Sequence, residues 1–200
     1  MILSDREIFA AIDRGDINIT PLVPFGSQGW SSTTYDLRLD GEIRRWKPIR
    51  GAGQDPTINP DHPDFDTNEL IARHTTGEDC SGRAVVIRPG EFLLGWTIEK
   101  VKLPHRSKIG ARVEGKSSLA RIGIGVHVTA PTIHAGFGVK PTEPNYLGSP
   151  IRLEIWNAGT LEIALTKNMR ICQLVMEEVH GTPMEGYTGK YGVQGPPTSS

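Results

Sequence analysis

The sequence is poor in the features that commit a chain early to a class. It has only two cysteines among 200 residues, Cys80 and Cys172, far apart and with no second cysteine nearby. That spacing encodes neither a disulfide framework nor a cysteine metal pair, and a reduced chain in the cytoplasm is expected. Charge of one sign is missing too. Twenty-two Lys and Arg stand against 23 Asp and Glu, for a net charge of −1. No broad basic surface for a nucleic-acid polymer follows from that balance, so any cation cluster is local and suits a small anionic ligand. No apolar run reaches membrane-spanning length, and the first residues lack the basic-then-apolar layout of a signal peptide. There is no internal repeat. What is plentiful is punctuation: 23 glycines and 15 prolines favour short strands and turns over long helices. The length fits a single domain, residues 1–200, with a substantial core.

One helix is written plainly. Ser4-Asp-Arg-Glu7 is a capping box, Leu3 and Ile8 occupy hydrophobic-staple positions, and Gly15 offers a left-handed stop. A helix over about Asp5–Arg14 is predicted. From Ile17 the period changes to two. Tyr35, Leu37 and Leu39 alternate with Asp36 and Arg38, and Asp40-Gly41 closes that strand, with Ile43–Trp46 as its expected hairpin partner. The stretch 51–82 is rich in Pro, Asp, Asn and Thr and reads as a long surface excursion, with one helical turn at Thr67–Ala72. Strands are then predicted at Ala84–Ile87, Phe92–Val101, Ser107–Val113, Gly125–Ala130, Pro150–Trp156, Leu161–Leu165 and Arg170–Glu178. Such regular short strands argue for a β-sandwich or barrel. The tail from His180 is rich in Gly, Pro and Ser and reads as a flexible terminus.

The chemistry concentrates between Glu114 and Asn157. Lys116, Ser117, Ser118 and Arg121 fall within six positions, directly after Gly115. Two cations, two hydroxyls and inward-turned amides make a phosphate cradle. The same residues also make an ordinary exposed polar turn, and spacing alone leaves the two readings level.

Glu114-Gly-Lys-Ser-Ser-Leu-Ala-Arg121, Val126-His-Val-Thr-Ala130 and Leu153-Glu-Ile-Trp-Asn157 resemble the signature of the dCTP deaminases, members of the dUTPase-like superfamily. The resemblance extends to Leu3-Ser-Asp-Arg-Glu-Ile8 and to Gly189-Lys-Tyr-Gly-Val-Gln-Gly195, and is weakest over 51–81. It implies an all-β distorted jelly roll of the dUTPase type with a short N-terminal helix. It also implies a homotrimer with pockets at subunit interfaces, and a lid over about 184–200 that folds over nucleotide. The implied activity is hydrolytic deamination of dCTP to dUTP and ammonia, feeding dUMP and dTTP synthesis. Magnesium would arrive on the triphosphate, and dUTP or dTTP are further candidate ligands. The alternatives are a dUTP diphosphohydrolase, a bifunctional deaminase that continues to dUMP, or a nucleotide binder with impaired catalysis.

Zinc deaminases carry His-x-Glu and Pro-Cys-x-x-Cys, and neither motif occurs here, so a zinc-independent route is expected. Such a route needs a general base at the water. Glu154 matches the family's catalytic glutamate, and its alternation with Leu153 and Ile155 sends its side chain to the face opposite theirs. The resemblance puts Arg121 beside that carboxylate, Ser117 on the water or the amino group, and the Ala130 carbonyl as a second acceptor. Lys116 and Ser118 would hold phosphates, while Gln173, Tyr187, Lys190 and Gln194 would grip phosphate and sugar. Leu119, Ala120, Arg152 and Leu153 belong to the same motifs and complete the substrate-binding set. Lys116 stands where many members have arginine, which keeps the charge and loses the bidentate fork. Two departures stand out: His134 replaces the family aspartate near the deoxyribose, and roughly Val139–Gly148 is an insertion before the Glu154 strand.

Overall fold

The computed structural model describes residues 1–48, 57–126 and 130–195. In chain order the elements are α1 (Asp5–Asp13), β1 (Asn18–Thr20), β2 (Trp30–Ser31), β3 (Thr34–Arg38), β4 (Glu42–Trp46), α2 (Thr67–His74), β5 (Thr75–Asp79), β6 (Val85–Ile87) and β7 (Phe92–Lys102). There follow β8 (Ile109–Gly115), α3 (Ser117–Ala120), β9 (Ile124–Val126), β10 (Thr132–Ile133), β11 (Ser149–Asn157), β12 (Ile163–Leu165) and β13 (Arg170–Glu178).

The helix forms for the reason its sequence gives. Ser4 Oγ accepts from the Glu7 amide, and Glu7 returns the bond to the Ser4 amide at 2.8 Å. Ile8 and Ala11 face the core, and Gly15 takes φ +78° just past the end.

The strands build two main antiparallel sheets. One runs β5-β4-β7-β11-β9, with β1 also on β7; the other runs β10-β8-β13-β3-β2, and β12 pairs with β6 separately. Leu93, Val101, Ile151, Leu153 and Ile155 of the first sheet share one buried cluster with Leu37, Val113, Leu174 and Met176 of the second. This is the sandwiched, mostly β architecture with a short N-terminal helix that the resemblance implies.

Three readings of the sequence need correction. β3 and β4 are not a hairpin: β3 lies between β13 and β2, whereas β4 lies between β5 and β7 in the other sheet. The alternation at Tyr35–Leu39 was misleading because Thr34 to Leu37 are buried on both faces, as in an interior strand. At Leu39 the chain crosses between sheets, bridging to Thr97, and the Asp40 amide bonds the Trp96 carbonyl. Second, the excursion over 51–82 holds regular structure. α2 is a full helix capped by Asp66, and β5 pairs along β4 from Thr75↔Trp46 to Asp79↔Glu42. Thr-Thr-Gly-Glu-Asp has no apolar alternation because this edge strand lies largely in solvent. Third, Ser117–Ala120 is a one-turn helix rather than an open turn. The strand predicted over Gly125–Ala130 is present as Ile124–Val126; residues 127–129 lie outside the described residues, and Ala130 is not in a strand.

Candidate functional site

β11 sets the site. Its side chains alternate strictly, so Ile151, Leu153 and Ile155 enter the core while Arg152 and Glu154 stand half-buried on the other face. On that face Leu94 lies opposite Glu154, and Trp96 lies opposite Arg152. The Arg152 guanidinium sits 4.5 Å from the centre of the Trp96 ring. Burial pushes the Arg152 pKa down, and the Glu154 charge pulls it back up. Leu153 is fully buried and does not line the cavity described next.

Above this face lies a cavity of about 600 Å³. Glu154, Arg152, Ala130 and His134 line it together with Tyr187, Lys190 and Gln194, seven residues that the sequence reading had named from separate stretches of the chain. Trp46, Ile71, Phe92 and Leu94 add an apolar wall that the sequence reading missed. Those four sit in strands and a helix whose patterns signal packing, so nothing in the sequence marks them as facing a ligand.

The tail is seated on this cavity. The Tyr187 amide bonds the Ala135 carbonyl at 3.0 Å, and its ring stacks on His134 with centroids 4.8 Å apart. The Gly138 amide bonds the Gly192 carbonyl at 2.7 Å. Gln194 accepts from the Arg152 amide at 2.9 Å, and its own amide donates to Ser149 Oγ at 3.1 Å. Gly136 explains how the tail approaches so closely. It has φ +104°, and a Cβ there would come within 2.2 Å of the Tyr187 nitrogen. None of the insertion 139–148 lines the cavity. It folds on itself instead, with Lys140 paired to Glu143 at 3.2 Å and resting on the Tyr146 ring.

The cradle residues lie elsewhere in the chain. Lys116, Ser117, Ser118, Leu119, Ala120, Arg121 and Gln173 do not line the Glu154 cavity. Ser117, Ser118 and Arg121 are exposed around α3. Lys116 donates to Asp36 Oδ1 at 2.6 Å, and Arg170 approaches the other oxygen of that carboxylate at 3.7 Å. The Asp36 side chain is 5% exposed. Gln173 accepts from the Thr34 hydroxyl at 3.1 Å and donates to the Gly115 carbonyl at 3.2 Å, holding the residue just before Lys116. Asp36 was visible only as the polar member of an alternating run, and its role under the cradle was missed. Within one chain, therefore, Arg121 and Ser117 are not brought into the cavity that holds Glu154.

Residues 2–179 match the model of the dCTP deaminase-like family. The chain belongs to that family. It is 39% identical over 176 residues to the "dCTP deaminase, dUMP-forming" of Methanosphaera stadtmanae, covering 88% of this chain and 78% of that one. The protein of the same description from Corynebacterium kroppenstedtii is 37% identical over 205 residues, covering 100% of this chain and 96% of its own length. Among solved structures, the 2′-deoxycytidine 5′-triphosphate deaminase of Agrobacterium tumefaciens superposes with a TM-score of 0.61 at 20% identity, over 90% of this chain. The chain spans about half of that protein's length, 48%. At that identity the superposition speaks for the fold alone. No helix among the described residues is long and apolar enough to cross a membrane.

Proposed function

We propose that this chain deaminates dCTP hydrolytically to dUTP and ammonia, with Glu154 as the proton shuttle. The observation that carries the reading is Glu154 itself, half-buried on the cavity face of β11 within a family whose relatives are named for dCTP deamination. Water adds to C4 of the cytosine as the Glu154 carboxylate takes one of its protons. That proton passes to N3, and the carboxylate then carries the proton of the new C4 hydroxyl to the amino group. The C4–N4 bond then breaks, ammonia leaves, and the carboxylate is restored. One water is consumed and one ammonia released.

In this reading Ser117 holds the water or the amino group, and the Ala130 carbonyl is a second acceptor. Lys116, Ser118, Gln173, Tyr187, Lys190 and Gln194 hold the phosphates and the sugar. Magnesium enters on the triphosphate as part of the substrate, and no resident zinc takes part. Because Lys116 to Arg121 do not line the cavity of Glu154, a second copy of the chain would supply them, which supports a homotrimer with the site shared between neighbours. Arg121 of one copy would then lie beside Glu154 of the next and pair with its carboxylate. The setting proposed is the cytoplasm.

A second reading continues from dUTP to dUMP and pyrophosphate. The names of the relatives favour it, since they give dUMP as the product. His134 opposes it. Stacked on Tyr187 in the cavity wall, an imidazole carries no carboxylate oxygen and offers no anionic acceptor for a phosphate-attacking water. The pure protein is incubated with dCTP and, separately, with dUTP, and ammonia and pyrophosphate are measured independently. Ammonia from dCTP without pyrophosphate is the expected result. Stoichiometric pyrophosphate from dUTP moves the assignment to the second reading, and neither product removes both.

A further inference from the structure

We infer that the N-terminal end of α2 is the receiver that positions the tail over the cavity, with Asp66 and Thr67 as positioning residues. The inference rests on the reading of the tail as a lid and gives the stretch 57–82 its place in the site.

Two side-chain contacts join these distant parts of the sequence. Lys190 Nζ lies 3.4 Å from Asp66 Oδ1, and the Tyr191 hydroxyl donates to Thr67 Oγ1 at 3.0 Å. Both tail residues come from the Gly-Lys-Tyr motif, and both receivers are consecutive at the start of one helix. The cavity supplies a separate observation. Thr67, Asn68 and Ile71 of α2 line it along with Lys190, Tyr191 and Val193 of the tail, so helix and tail meet as two parts of one wall.

The receiver is itself held firmly. Asp66 caps α2 by accepting from the Asn68 amide at 2.6 Å and the Glu69 amide at 3.2 Å. Those two amides, and then Lys190, hold its carboxyl below the usual carboxylate range. It therefore stays an anion throughout neutral and mildly acidic conditions. On its other side α2 leads directly into β5, which pairs with β4 in the sheet that carries Glu154. A tail docked on α2 is thereby referred to the catalytic strand through β5, β4 and β7.

The contact also gives Lys190 two competing anions, the Asp66 carboxylate and the substrate phosphates. With the side chains 44% and 49% exposed, the pair is weak enough to exchange. Tyr191 carries no such conflict, so the hydroxyl bond to Thr67 persists while Lys190 changes partner.

The test uses the full-length protein. Asp66→Asn removes the charge and keeps a good helix cap, and Thr67→Val removes the hydroxyl and keeps the shape. Trypsin cleavage after Lys190 is timed by mass spectrometry without nucleotide, alongside the melting temperature. The double variant is expected to be cut about fivefold faster at Lys190, a size set by one exposed ion pair and one hydrogen bond, with the melting temperature unchanged. KM for dCTP should rise more than kcat falls. Tyr191→Phe should reproduce Thr67→Val, and combining the two should add nothing further. Asp64→Asn, two residues before the receiver, serves as the control and should leave the cleavage rate alone. Unchanged cleavage in the double variant, or additive effects of Tyr191→Phe and Thr67→Val, would overturn the inference. Because cleavage is read without turnover, a wild type that does not deaminate dCTP defeats the proposed function and leaves the receiver decided by proteolysis alone.

Discussion

Lys116 and Lys190 are both proposed to hold phosphate, and both rest on an aspartate, yet the two settings are opposite. Lys116 meets Asp36 at 2.6 Å in the interior of a sheet, where the carboxylate is 5% exposed and Arg170 faces its second oxygen. Lys190 meets Asp66 at 3.4 Å on the surface, with both side chains close to half exposed. A carboxylate out of water cannot lose its cation cheaply, whereas a solvated one exchanges partners at little cost. On the proposed reading this divides the labour: the cradle half would be fixed with the fold, and the lid half would be free to open and close.

The largest effect should come from breaking the fixed half. Asp36→Ala leaves Lys116 and Arg170 without their shared anion and removes the support under α3. A loss of about 3 kcal/mol is expected, which lowers the melting temperature by roughly 6–12 °C for a chain of this size. A shift of under about 1 °C would erase the contrast between the halves. Removing the lid half should do the reverse. Deleting 184–200 takes away the contacts of Tyr187, Lys190 and Gln194 with the cavity wall but, among the described residues, no strand of either sheet. Deamination should fall by about a hundredfold or more, on the scale of lost substrate positioning, while the melting temperature of the ligand-free protein holds. A large stability loss would make the tail a structural element instead.

Salt sharpens the contrast further. Raising ionic strength to about 1 M shortens the screening length to roughly 3 Å. Tail proteolysis should therefore speed up, while the Asp36-dependent part of the melting temperature stays put. The smallest effect concerns pH. The Ser4 amide and hydroxyl hold the Glu7 carboxyl below its ordinary value. A depressed carboxylate contributes stability that is complete above its unfolded pKa and fades as pH falls through its folded one. Glu7→Gln, which keeps the capping-box acceptor and removes its charge, should thus cost a little stability at neutral pH and none in acid below that range, measured by denaturant unfolding.

How much of this was legible depended on where the cause of each feature lies. α1 could be read to within a residue because its cap, staple and stop are all local. β7, β11 and β13 were legible because each is a long run rich in apolar residues, alternating in β11 and near-continuous in β7 and β13. β5 was hidden, since an edge strand needs no apolar face, and the β3–β4 hairpin was wrong because sheet membership is decided by partners over a hundred residues away. The site divides along the same line. Motif residues such as Glu154, His134 and Gln194 could be named from the chain, and the cavity gathers them. Asp36, Trp96 and Asp66 could not, because each matters only through what lies across from it in space. Nor could the sequence tell that Lys116–Arg121 and Glu154 stand apart within one chain.

The most direct test of the central claim compares the wild type with Glu154→Gln, measuring ammonia released from dCTP and dCTP binding in the same preparations. The amide keeps the size and polarity of the side chain but cannot take the proton of the attacking water. Wild-type protein should release ammonia, and the variant should bind dCTP with turnover reduced by at least about a thousandfold, near 4 kcal/mol. Turnover by Glu154→Gln within about tenfold of wild type, roughly 1.4 kcal/mol, would contradict the account and take Glu154 out of the chemistry.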